Sequence, residues 1–147
     1  MQLDPFGNLK DWGPVLEQIQ GLAASGQLDD CQPGLVRVLA YRDNWRLREE
    51  ILLRVGDIAR PSDLLIRQVL RIIGDENLYY EVRILAGEAM MHFMKNLQCP
   101  FLPETVADIH KALLDLQATP QPPLFEENLG KVSAVFSERF SIAIRRQ

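Results

Sequence analysis

An all-α fold of about seven helices is what this sequence predicts, and three observations carry it. Period-2 alternation bounded by turn residues is almost missing, and no Asn-Gly or Asp-Gly dipeptide joins two β-rich runs. Apolar residues instead return at three- and four-residue steps along most of the chain. Capping residues, glycines and prolines stand where those runs begin and end. The expected helices are 11–25, 30–41, 45–59, 62–73, 78–96, 103–118 and 126–145, within one domain spanning residues 1–147.

Each element has its own warrant. Trp12, Val15, Leu16, Ile19 and Leu22 give the first helix an apolar side, and Leu35, Val36, Val38 and Leu39 do so for the second. In the third, Leu47, Ile51, Leu52, Val55, Ile58 and Ala59 oppose Arg46, Glu49, Glu50, Arg54 and Asp57. Asp43 or Asn44 stands at its N-cap position, and Pro61 closes it after Arg60. Ser62 caps the fourth helix and Gly74 stops it; Pro103 suits the first turn of the sixth, where a missing N–H costs nothing. Met90, Met91, Phe93 and Met94 read as core filler in the fifth. Thr119-Pro120-Gln121-Pro122-Pro123 reads as a stiff extended spacer. The seventh helix has a seam of Leu129, Val132, Phe136, Phe140 and Ala143, with Lys131, Glu138, Arg139, Arg145 and Arg146 left for solvent.

Composition narrows the class. The chain has 147 residues, 47% hydrophobic and 24% charged, with a formal charge of −4 and two cysteines. At this length roughly two-thirds of the surface can be buried, so the core needs neither metal nor disulfide. A disulfide scaffold, a disordered chain and a polybasic nucleic-acid tail are excluded. Met1-Gln2-Leu3-Asp4-Pro5 lacks the basic start and apolar stretch of a secretory signal, and no apolar run approaches a membrane span. Cys31 and Cys99, far apart and without metal-like or redox-like neighbours, fit reduced thiols, so the expected location is the cytoplasm.

Comparison of the chain with itself exposes a repeat. When residues 43–52 are laid over 80–87, Trp45 falls on Tyr80, Leu47 on Val82 and Arg48 on Arg83, an offset of 35 residues. Acidic turns precede both copies, Asp43 in one and Asp75-Glu76 in the other, and an amphipathic helix follows each. A helix pair repeated at 30 to 47 residues marks an α-solenoid, in which a pair buries its apolar face only by stacking on its neighbours.

The run Asp43-Asn44-Trp45-Arg46-Leu47-Arg48-Glu49-Glu50-Ile51-Leu52-Leu53-Arg54-Val55-Gly56 resembles the first helix of a HEAT repeat. Tyr80-Glu81-Val82-Arg83 with Ala86, Ala89 and Met90 resembles a second copy, and the likeness is clear over residues 43–95. It implies a right-handed α-superhelix of stacked antiparallel helix pairs, of the HEAT and armadillo kind. Residues 11–41 would form a degenerate first pair, 43–73 a second, 78–118 a third, and 126–145 a terminal cap or a homodimer contact. In such repeats the arginine equivalent to Arg48 and Arg83 pairs with acidic turn residues as a structural ladder; Arg48 is expected on Asp43 or on the acids of the next turn.

Charge distribution supplies the candidate binding residues. Between Arg37 and Arg71 lie eight arginines, no lysine and five acids, net +3, whereas the rest of the chain is net −7. Arg67, Gln68 and Arg71 share the polar side of the fourth helix, with Arg37 as a further member. On the concave surface that the resemblance implies, this stripe would meet acidic groups of a protein or peptide; otherwise it is a solvated face with Asp63 to Arg67 as an i,i+4 pair. His92 with Glu88 one turn earlier, and His110, fall short of a metal set, so no metal or cofactor is expected. No phosphate loop, nucleophile elbow or Ser-His-Asp set can be assembled, which leaves a non-catalytic scaffold as the expected role. Two alternatives come from the resemblance: a nucleic-acid-binding protein of the DNA-alkylation-repair type, with Trp12 and Trp45 stacking on bases, and an accessory to a bilin lyase. The negative charge counts against the first, and the lack of an activating neighbour for either cysteine against the second.

Overall fold

Each apolar run forms a helix in the computed structural model, which describes residues 3–145 and the side chains of residues 3–141. Seven α-helices occur among the described residues, with no strand: α1 Trp12–Ala24, α2 Gln32–Ala40, α3 Trp45–Arg54, α4 Asp63–Gly74, α5 Tyr80–Lys95, α6 Pro103–Gln117 and α7 Pro123–Arg145. Their ends follow local chemistry. Gly26 takes φ 71° after α1, and the Gln27 N–H returns to the Leu22 carbonyl at 2.8 Å, closing the last turn. Asn44, not Asp43, caps α3, its side-chain oxygen accepting from the N–H groups of Arg46 and Leu47. Ser62 caps α4 through the Leu65 N–H, and Pro103 opens α6.

Three boundaries depart from the sequence expectation. The third helix stops at Arg54 and tightens into a 3-10 turn, Val55–Asp57. Here the chain runs against α5: a Cβ on Gly56 would stand 2.9 Å from Cγ of His92, so the close approach needs glycine. A 3-10 turn, Leu28–Cys31, likewise precedes α2. The proline segment lies outside the helices only as far as Pro122; Pro123 is the first residue of α7, where proline's fixed φ suits the helix. α7 itself is interrupted at Phe140, whose φ of −117° and ψ of 23° are not helical.

The helices neighbour one another in two rows. α1 packs on α3, α3 on α5 and α5 on α7, while α2 packs on α4 and α4 on α6. Contacts of α2 with α3, α4 with α5 and α6 with α7 join the rows. One connected core runs from Phe6 to Phe136. Leu35, Leu47, Ile51, Leu65, Met90 and Phe93 are essentially inaccessible, each contributing roughly 1.5–3 kcal/mol by burial. Phe6 and Leu9, ahead of α1, also enter this core, with Phe6 resting on Gly34 of α2. The seam of α7 turns inward: Leu129, Val132 and Phe136 are buried and Phe140 packs on the core, so those side chains are spent within the chain. The side chains of Ala143, Arg145 and Arg146 lie outside the described residues.

α5 packs against α3, α4 and α7, with Ala86, Gly87, Ala89, Met90, Phe93 and Met94 all buried. Its small residues let α7 come close, and a Cβ on Gly87 would collide with the amide oxygen of buried Asn128. Gly21 on α1, by contrast, has nothing within 4 Å of a Cβ position. Gly87→Ala is therefore expected to destabilise the fold by about 1–3 kcal/mol and Gly21→Ala to stabilise it by about 0.5–1 kcal/mol, as read from chemical denaturation midpoints.

Candidate functional site

Arg48, Arg83 and Arg139 occupy joints between neighbouring helices, and each answers to the carbonyl groups that a helix end leaves open. Arg48 on α3 is 4% exposed and donates Nε–H to the Leu39 carbonyl at 3.1 Å and an Nη2 hydrogen to Tyr41 O at 2.6 Å, both at the end of α2. Arg83 on α5 repeats the gesture on α4, its Nε–H reaching Ile73 O at 2.9 Å, with the guanidinium 4.4 Å from the ring centre of Phe125. Arg48 thus makes no ion pair with Asp43, and Asp75 of the next acidic turn acts on it only through space. A carbonyl end is nearer than any carboxylate, and it needs a donor more. Arg139, expected in solvent, instead gathers the carbonyls of Met94, Asn96 and Cys99 beyond the last turns of α5.

The stripe of Arg37, Arg67, Gln68 and Arg71 divides when its partners are seen. Arg37 is paired with Asp4 through two hydrogen bonds and also donates to the Gly7 carbonyl, which ties the N-terminal segment to α2. Arg67 bridges helices, reaching Asp63 at 3.0 Å on its own turn and Asp108 of α6 at 2.7 Å. Gln68 is not on a solvated face but 8% exposed. It lines, with exposed Arg71, a pocket of about 210 Å³ at the C-terminal ends of α2 and α4. Arg42, Arg48 and Asp75 complete its charged lining, with Leu39, Ile72 and Leu78 between them.

In this pocket three guanidinium groups face one carboxylate. Asp75 lies 4.0 Å from Arg42, whose side chain is otherwise largely in water. Burial pushes the Arg48 pKa down, while Asp75 opposes and Arg42 adds to the shift. Gln68 accepts from Arg71 at 3.4 Å. Arg71 and Gln68 of the expected stripe line the pocket, whereas Arg37, Arg46, Arg54 and Arg67 are taken up by acids that only folding brings near, or by acids one turn away. Arg42, Asp75 and Leu78 come from loops or their edges, where helical periodicity carries no signal.

A second concavity opens at the N-terminal ends of α1 and α3. Trp12 and Trp45, the first residues of α1 and α3, line it with Leu16, Asp43, Asn44 and Arg46. They are 48% and 54% exposed, so neither fastens its helix to the core. Tyr80, the counterpart of Trp45 on α5, lies 5.3 Å from Phe125 of α7. Compared with protein-family models, curated proteins and solved structures, the chain matches none of them.

The other candidates have structural surroundings. His110 stacks on Phe136 at 5.4 Å between ring centres, and among the described residues no three His, Cys, Asp or Glu side chains come together as a metal set. Cys31 and Cys99 are free and buried, and burial raises both thiol pKa values, favouring the protonated form. No helix among the described residues is long and apolar enough to cross a membrane.

Several carboxylates are held ionised by their partners. The Thr105 hydroxyl, then Arg67, keeps Asp63 below the usual carboxylate range against some burial. Burial would raise Glu50, but bonds from Gln20, Arg46 and Arg54 outweigh it and leave its pKa lowered. A carboxyl whose folded pKa lies below its unfolded value, about 4, stabilises the fold above that value and loses the contribution as pH falls through the folded one. Unfolding free energy is accordingly expected to decline as pH is lowered from about 5 to 2. Asp63→Asn should flatten that decline by about 0.5–1 kcal/mol, as measured by urea denaturation across the range.

Proposed function

We propose that this chain is a non-catalytic HEAT-like α-solenoid, a right-handed superhelix of helix pairs, whose task is to hold a protein or peptide partner of acidic character. The two rows of neighbouring helices support that reading of the fold, as does the recurrence of Arg48 and Arg83 on the carbonyl ends of α2 and α4. A setting in the cytoplasm suits the two unpaired cysteines. The observation that carries the function is the arginine pocket: Arg42, Arg48 and Arg71 against Asp75 alone, on a chain whose formal charge is −4.

Recognition then has two parts. Guanidinium forks of Arg42 and Arg71 take carboxylates of the partner, with Arg48 and Gln68 as a preorganised floor. At the N-terminal ends of α1 and α3 the exposed faces of Trp12 and Trp45 offer apolar contact with few rotatable bonds to fix. Because helices rather than loops hold most of these side chains, little ordering cost falls on binding.

The test is fluorescence anisotropy with labelled peptides rich in Asp and Glu, neutral peptides of equal length, and a short oligonucleotide. Acidic peptides are expected to bind at least tenfold more tightly than neutral ones, more weakly as salt rises, and to lose that advantage on Arg42→Glu with Arg71→Glu. Both side chains are exposed, so the thermal midpoint of the variant should hold. Equal binding of acidic and neutral peptides, or an unchanged advantage in the variant, would contradict the reading; preference for the oligonucleotide would move it to nucleic acid.

A further inference from the structure

We propose that the pocket between the C-terminal ends of α2 and α4 is a phosphomonoester site, taking the dianionic phosphate group in contact with Arg42, Arg48 and Arg71. The partner's being a phosphorylated protein rests on the reading above; the pocket's chemistry stands on its own residues.

Charge is the first argument. Three guanidiniums and the single carboxylate of Asp75 leave two positive charges on the lining. One peptide carboxylate would cancel half of that, whereas a phosphomonoester, at −1.5 to −2 near neutral pH, matches it. Arg48 is the member least served by the protein. It is 4% exposed, its two hydrogen bonds go to neutral carbonyls, and it makes no ion pair among the described residues. Asp75 acts on it only through space and is shared with Arg42, so a desolvated cation here gains from a second counter-charge.

Donor inventory is the second argument. Gln68, 8% exposed, uses its oxygen to accept from Arg71, and its amide NH2 has no partner among the described residues. Gln68 Nε2 and the guanidinium hydrogens of Arg42, Arg48 and Arg71 are all donors, and Asp75 is the single carboxylate among them. A tetrahedral oxyanion is all acceptor, and guanidinium forks fit its paired oxygens. At about 210 Å³ the pocket has room for the phosphate and the first atoms of the side chain that bears it. Leu39, Ile72 and Leu78 supply apolar lining for those atoms.

The experiment has two arms on the full chain. In the first, inorganic phosphate is compared with chloride at matched ionic strength by thermal shift. In the second, anisotropy compares a phosphoserine peptide with its serine and glutamate counterparts. Phosphate is expected to raise the thermal midpoint beyond chloride, and the phosphopeptide to bind at least tenfold more tightly than either counterpart. Arg42→Ala with Arg71→Ala should abolish both effects, and Arg71→Lys, which keeps the charge without the fork, should weaken them severalfold. A response to phosphate with no gain in the peptide supports the pocket chemistry and assigns it to a free phosphate ester. Phosphate acting like chloride, or effects that survive the double alanine variant, would overturn the proposal. Binding of acidic peptides without phosphate selectivity would overturn it while leaving the acidic-partner reading in place, and phosphate binding without acidic-peptide binding would do the reverse.

Discussion

A helix that ends inside a protein leaves carbonyl groups that water cannot reach, and the way this chain answers them organises the rest. Arg48 and Arg83 cross from α3 and α5 to the ends of α2 and α4, and Arg139 comes back from α7 to the end of α5. Each bond satisfies an acceptor that burial would otherwise penalise by roughly 1–3 kcal/mol, and each places a cation at the negative end of a helix. The choice of arginine matters. Its long stem packs against apolar neighbours while the planar head spends several donors at fixed angles. Removing one of these heads would leave a carbonyl end unanswered as well as a space beside it.

The pocket follows from the same joint. Arg48 reaches Leu39 and Tyr41 and also lines the pocket, where Arg42, Gln68 and Arg71 converge from the α2–α3 loop and from α4. The loop that carries Arg42 continues into Asn44 and Trp45, so one short connection separates the charged recess from the aromatic one. An arginine recruited to finish a helix thereby becomes the floor of a site, and structure and recognition draw on one residue.

Helices, caps and most of the core were legible because they depend on neighbours three or four residues away. Asn44, Ser62 and Pro103 act where their side chains alone foretell. What stayed hidden depends on distant partners. Arg37 reads as a free cation until Asp4 folds against it, and Arg67 until α6 delivers Asp108. Gln68 reads as polar surface, yet it is buried beside Arg71. The shortened α3 reflects His92 of α5 pressing on Gly56, and the collision that reserves Gly87 comes from Asn128, forty-one positions later. Trp12 and Trp45 have the helix-start position of aromatic staples, but exposure is a property of the assembled surface and no local pattern encodes it.

Hydrogen exchange of arginine Nε–H groups in 15N-labelled protein examines the arginine joints one by one. Nε–H of Arg48 and Arg83 is expected to exchange orders of magnitude more slowly than that of exposed Arg42, with protection that disappears only in global unfolding. Exchange of both at the rate of Arg42 would mean that these side chains do not close the helix ends, and the paired architecture built on them would have to be abandoned.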